Sequence, residues 1–121
     1  MATKIPLQKM ARAQFAVALK LFADCVHTGT FQDAFGTKTE NIPLLFAGVP
    51  AFGLNTSGIT RSDVMVFIRC EDLPADHVLA NTEHFYYQED NKDFYYGVVC
   101  GATDPTHSYW CIFGRPAEAP K

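Results

Sequence analysis

Phe15, Leu19, Phe22 and Val26 recur at i, i+4, i+7 and i+11, the spacing that places side chains on one face of an α-helix. Leu7, Met10, Val17, Leu21 and Cys25 widen that face. Pro6 suits a first helical turn, where its missing N–H leaves nothing unpaired, and Gly29 suits the stop because it reaches positive φ without strain. The pattern predicts a helix over residues 6–28. Ala11, Ala13, Ala16, Ala18 and Ala23 make it slim enough to pack closely on its own domain and on a neighbour.

After Gly29 the period shortens to runs rich in Val, Ile, Phe and Tyr, separated by Gly, Pro, Asn and Asp. Strands are expected over residues 30–35, 42–52 (with breaks at Pro43 and Pro50), 64–70, 84–88, 94–100 and 108–113. Val64, Val66, Ile68 and Cys70 alternate with Met65, Phe67 and Arg69, so this strand is apolar on both faces and belongs between a barrel interior and the helix. On that reading Phe67→Asp unfolds the domain. Glu89-Asp90-Asn91-Lys92 and Thr103-Asp104-Pro105-Thr106 are polar turns, which make the last three strands a meander. Phe85, Tyr86, Tyr87, Phe94, Tyr95, Tyr96, Tyr109 and Trp110 crowd aromatics onto that meander, more than one small interior can hide, so some tyrosines are expected at a partly wet surface. The fold class is therefore mainly β with an N-terminal α-helix (α+β), a small antiparallel β-barrel or sandwich.

The 121 residues, 48% of them hydrophobic, suit a single domain over residues 1–121: helix 6–28, β-barrel or sandwich 30–113, extended C-terminal arm 115–121. The longest uncharged apolar stretches are far shorter than the roughly 20 residues of a membrane helix. Lys9, Arg12 and Lys20 interrupt the region where a secretory signal would need a continuous apolar block. With a formal charge of -3 and acids and bases mixed along the chain, no cationic stripe is expected for direct nucleic-acid recognition. Cys25, Cys70, Cys100 and Cys111 read as reduced core residues.

Catalytic chemistry has little local support. His27, His77, His84 and His107 could each serve a nucleophilic cysteine, yet no cysteine sits in a glycine-framed turn. A zinc site could be drawn from Cys100, His107, Cys111 and His84, without any CxxC or HxxxH pair. P-loop, dinucleotide-binding and GxSxG patterns are all missing. The expectation is a protein that is not an enzyme and takes neither cofactor nor metal.

A polar loop runs through Asn55, Thr56, Ser57, Gly58, Ile59, Thr60, Arg61 and Ser62 into the strand at Val64, which ends in Cys70-Glu71-Asp72-Leu73-Pro74. This arrangement resembles the tail-attachment and head-completion family of tailed-phage connector proteins. In that family a short strand, comparable to residues 42–52, precedes a mobile loop, a strand ending in an acidic-Leu-Pro turn, and a closing aromatic hairpin. The similarity covers roughly residues 31–114 by pattern. Two departures stand out: Ala80-Asn81-Thr82 replaces a Gly-Asp turn, and the N-terminal helix is more hydrophobic.

The resemblance implies a virion protein of the phage neck, assembled in the host cytoplasm as a ring of its own copies between a portal or adaptor protein and a tail-terminator protein. The loop Asn55 to Ser62 and the tail from Pro116 to Lys121 are then the expected protein contacts. Two other classes remain open: a small phage-encoded inhibitor of a host protein, marked by an acidic patch, and a small enzyme in which Cys100, His84 or His107 converge in a cleft.

Overall fold

The computed structural model describes residues 7–48, 63–74 and 76–118. Helix α1 (Leu7–Leu21) leads through a short 3-10 turn, Ala23–Cys25, into six strands: β1 (Val26–Gln32), β2 (Lys38–Gly48), β3 (Val64–Arg69), β4 (His84–Glu89), β5 (Lys92–Thr103) and β6 (Tyr109–Pro116). The strands close into a barrel in the order β1-β2-β3-β6-β5-β4, every neighbouring pair antiparallel. Of the two β architectures expected, the barrel is the one found.

Residues of one parity on each strand fill the interior. Phe31, Ile42, Leu44, Val66, Ile68, Phe85, Val98 and Ile112 form the buried cluster. Two glycines make room for these large groups. A Cβ on Gly114 would run into the Phe85 ring, and one on Gly29 would meet the Tyr86 carbonyl and the Leu44 side chain. One end of the barrel is plugged by the connection from β3 to β4: Leu73 and Glu83 are buried there, and the His77 ring stands edge-on against Phe31 and Trp110. Glu83 accepts the Ala80 N–H at 2.6 Å through Oε1, and its Oε2 lies 2.9 Å from His77 Nε2, off the line a hydrogen bond would take. The other end is aromatic, with His27 stacked on Tyr87, Tyr87 stacked on Phe94, and Phe46 packed against Phe85, Tyr87 and Tyr96.

Strand β3 occupies the place its two apolar faces require. Val66 and Ile68 are fully buried inside, while Phe67 points outward beneath α1, between Phe15 and Tyr109. The expectation that Phe67→Asp unfolds the domain is corrected accordingly, because the charge would land in the seam under the helix and not in the barrel interior.

Several sequence-based boundaries also change, among them the strands expected over 30–35 and 42–52, which run Val26–Gln32 and Lys38–Gly48. The helix ends at Leu21, not Thr28; Val26, His27 and Thr28 pair with Leu45, Leu44 and Pro43 in β1, since β-branched residues next to a hydrophobic partner strand are better placed in a sheet. No break occurs at Pro43, where β2 pairs with β1 alone and β3 joins only from Leu45, an edge-like setting that tolerates a missing N–H. The irregularity lies just before it, where Asn41 takes φ 59° and the register of β1 and β2 shifts. Arg115 and Pro116, expected in the arm, extend β6, with Pro116 opposite Tyr96. Pro50 lies outside the described residues. The tight turn from β4 to β5 follows the sequence closely: Asp90 and Asn91 both take positive φ, as a two-residue hairpin demands.

Two substitutions test this packing. Gly114→Ala is expected to lower unfolding stability in urea by about 1–3 kcal/mol, as overpacking does, while Gly97→Ala, whose Cβ would make an ordinary contact with the His84 ring at 3.8 Å, changes it far less. Phe67→Asp is expected to release α1, seen as faster tryptic cleavage after Lys9, Arg12 and Lys20 with amide protection of β1, β4 and β5 retained. Loss of protection throughout the barrel would contradict the placement of Phe67.

Candidate assembly surface

Closure of the barrel leaves only short strand stretches with a free side among the described residues, such as β2 before Leu45, so contacts fall mainly to side chains or appended segments. The most conspicuous appended element is α1. It lies against the outside of β3 and β6, anchored by Phe15, which stacks on Tyr109 at 5.2 Å and meets Phe67 edge-on at 6.5 Å. Among the described residues of α1, Phe15 is the one that is buried. Met10, Val17 and Leu21 remain 43%, 54% and 73% exposed, and Phe22, just past the helix, 56%. At 100° per residue, Met10, Val17 and Leu21 share a stripe on the side away from Phe15. The helix therefore has two apolar faces, and its own barrel covers one.

Beside α1, the outward residues of β3, β6 and β5 line a shallow apolar groove of about 610 Å³ that includes Met65, Cys100, Ala102, Cys111 and Phe113. At its end Asp104 organises the turn from β5 to β6: Oδ1 accepts the N–H groups of Ser108 (2.6 Å) and Tyr109 (3.0 Å), and Oδ2 accepts the Thr106 N–H (3.0 Å) and hydroxyl. Partial burial alone would raise its pKa, but these donors outweigh that and hold it at about 2. His107 follows at φ 54°, its Nδ1 3.1 Å from the Thr103 hydroxyl.

Charge is divided between the same two parts of the chain. The first 23 residues hold four of the ten Lys and Arg and no Asp or Glu, and all thirteen acids lie from Asp24 onward with the other six bases. Helix α1 thus carries Lys9, Arg12 and Lys20 with no acid, and every acid follows it in the chain. Counting charges by element rather than looking for runs would have revealed this from sequence.

Of the expected contact residues, Pro116 is exposed at the end of β6, while Asn55, Thr56, Ser57, Gly58, Ile59, Thr60, Arg61, Ser62 and Lys121 lie outside the described residues. The strand ends that flank these segments are tied together. Arg115 donates to buried Asp63 through Nε (2.9 Å) and Nη2 (3.0 Å), and this bidentate pair lifts the guanidinium pKa further above its usual value. Both segments leave from the aromatic end of the barrel, where β2, β6 and the start of β3 meet.

The expected metal and catalytic residues are dispersed. Cys100 and Cys111 line the outer groove, His107 lines a separate cavity of about 550 Å³ with Cys70, Arg12 and Trp110, and His84 packs on Tyr95. Among the described residues no three His, Cys, Asp or Glu side chains come together as a metal site. Burial raises the thiol pKa of Cys70, Cys100 and Cys111, keeping them protonated. The four cysteines are reduced, but Cys25 is exposed and the other three are half-buried, so none is a core residue as expected. Cys25 and His27 lie in the 3-10 turn and β1, not on a helix. Tyr86 and Tyr95, stacked on the outer face of β4 and β5, include the expected half-wet tyrosine, Tyr86.

No protein-family model, no curated protein and no solved structure matches the chain.

Asp104 gives this surface an acid-sensitive part. Its folded pKa lies below the ordinary 3.8, so its contribution to stability is complete above about pH 4 and is lost as pH falls toward about 2. Asp104→Asn is expected to remove that part of the acid sensitivity, measured as the difference in urea midpoint between pH 5 and pH 2.5 relative to the parent protein. An unchanged difference would show that the donors around Asp104 do not favour its ionised form.

Proposed function

We propose that this chain is a structural subunit that works by assembling with other proteins, and that the assembly is the neck of a tailed phage, where a ring of these subunits joins the head portal to the tail. The observation that carries the assembly reading is the second apolar face of α1. A helix held by one buried phenylalanine while Met10, Val17 and Leu21 face water retains apolar surface that burial in an interface would stabilise. The phage setting is supported by the resemblance of the loop, of β3 and of Cys70-Glu71-Asp72-Leu73-Pro74. In the latter, Arg69 donates to both oxygens of Asp72 at 2.8 and 2.9 Å, fixing the turn that carries Leu73 into the barrel end.

A second reading, a small inhibitor that occupies a basic surface of a host protein, is favoured by one observation, the excess of acids from Asp24 onward. The exposed apolar helix and the acidic barrel would then serve the same foreign partner.

Mass spectrometry of purified particles from the source system separates the two. The neck reading is expected to give this chain at a copy number matching that of other neck proteins. Absence from intact particles, with capture of a host protein by the tagged chain, would replace it with the inhibitor.

A further inference from the structure

Cys100 and Cys111 lie on neighbouring strands and line one groove outside the barrel. Their meeting depends on a single irregularity. Val98 is buried in the interior, and regular alternation along β5 would turn Cys100 inward as well. The register of β5 against β6 instead shifts between Val98 and Cys100, a bulge of the kind that re-aims a side chain. Beyond it a Cβ on Gly101 would meet Leu79, which packs on the buried cluster, while Cys100 faces the groove. Cys100 pairs with Phe113 and Cys111 with Ala102, so the two thiols stand diagonally across the strand pair. Met65, opposite Phe113 on β3, stands diagonally on the other side of Cys111 and lines the same groove.

We infer that these three residues form a binding site for a soft monovalent metal ion, copper(I), held by the sulfurs of Cys100 and Cys111 with Met65 Sδ as a third ligand. Diagonal positions on paired strands lie about 7–8 Å apart at Cα, wider than the roughly 4.4–6.8 Å that a disulfide spans. Two metal–sulfur bonds of about 2.3 Å each bridge the extra distance. The donor set selects the metal. Zinc takes four ligands in a closed site, and the imidazoles expected from sequence beside these cysteines lie elsewhere, His107 in the separate cavity and His84 on Tyr95. Asp104, the carboxylate at the groove, has both oxygens engaged by its own turn. Thiolate and thioether sulfur without imidazole or carboxylate suits copper(I), which is satisfied by two or three ligands.

The two thiols are near enough to sense each other. Burial first, and then the neighbouring Cys100, push the Cys111 pKa up. Each thiol releases its proton to solvent as its sulfur bonds the ion, so two protons leave for each copper(I) bound and no electron is transferred. The site stands on these sulfurs alone and does not depend on assembly.

The full-length protein is titrated anaerobically with copper(I) against the chromogenic chelator bicinchoninate. One ion per chain is expected, with an X-ray absorption spectrum that shows sulfur neighbours alone, at about 2.3 Å. Cys100→Ser and Cys111→Ser are each expected to weaken binding by more than the roughly 10–100-fold that loss of an outer-shell partner costs. Met65→Leu is expected to weaken it by about tenfold, and Cys25→Ser and Cys70→Ser to leave it unchanged. The parent protein gives a second reading that needs no variant: copper(I) is expected to protect Cys100 and Cys111 from N-ethylmaleimide while exposed Cys25 still reacts. No binding, binding that survives both groove serine variants, or binding lost with Cys25 or Cys70 would overturn the site. So would nitrogen or oxygen neighbours in the spectrum, zinc bound as tightly as copper(I), or a copper-bridged dimer in sedimentation, which places the two sulfurs on different copies.

Discussion

Pairing of β1 with β4 closes the sheet, and most other features of the molecule follow from that closure. The register Gly29↔Tyr87 to Gln32↔His84 brings the first strand of the barrel against the fourth, so that Phe31 and Phe85 meet across the seam and both become fully buried. A six-stranded barrel has little interior, and these two rings take much of it. Gly29 and Gly114 lack side chains at the positions where Leu44 and Phe85 need the space. Once the interior is full, a helix cannot enter it, and α1 must lie outside.

That exclusion explains the weak attachment of α1. Burying one phenylalanine contributes about 1.5–3 kcal/mol, enough to bias a helix that is otherwise marginal at 15 residues but modest against the entropy of ordering it. Leu45, Phe67 and Tyr109 provide an apolar seat, yet a space of about 360 Å³ remains between them and the helix. An element held in this way can detach without disturbing the barrel.

Much of the barrel was legible in the sequence because short runs rich in Val, Ile, Phe and Tyr broken by polar turns mark strands, as in β3 and the meander of β4 to β6. The twofold apolar character of residues 64–69 even located β3 between interior and helix. The helix end was less legible. Phe22 and Val26 continue the periodicity of Phe15 and Leu19, but a pattern of apolar spacing does not register that Val26 to Thr28 have a partner strand 15 to 19 positions further along the chain. Pro43 misled for a related reason: its tolerance depends on where β3 begins, which is a property of the sheet. The exposed stripe of α1 was hidden inside the apolar face that periodicity predicted, since spacing shows that Met10, Val17 and Leu21 are apolar and not which side the barrel leaves bare.

The ionic contacts complete the division of labour between barrel and appendages. Asp63 and Arg115 stand at the ends of β3 and β6, with Val64 paired to Gly114 between them, so one buried carboxylate fixes where two strands leave the barrel. Breaking it by removing Arg115 would leave the Asp63 charge buried without its bidentate partner, a costlier state than losing a surface pair. The pair thus holds the barrel closed at the end from which residues 49–62 and 119–121 depart, while Asp104 holds the opposite turn beside the groove. Rigid exits on a closed barrel, together with a lightly held helix, leave contact-making to the elements outside the core. Movement of α1 would therefore leave in place every group that closes the barrel.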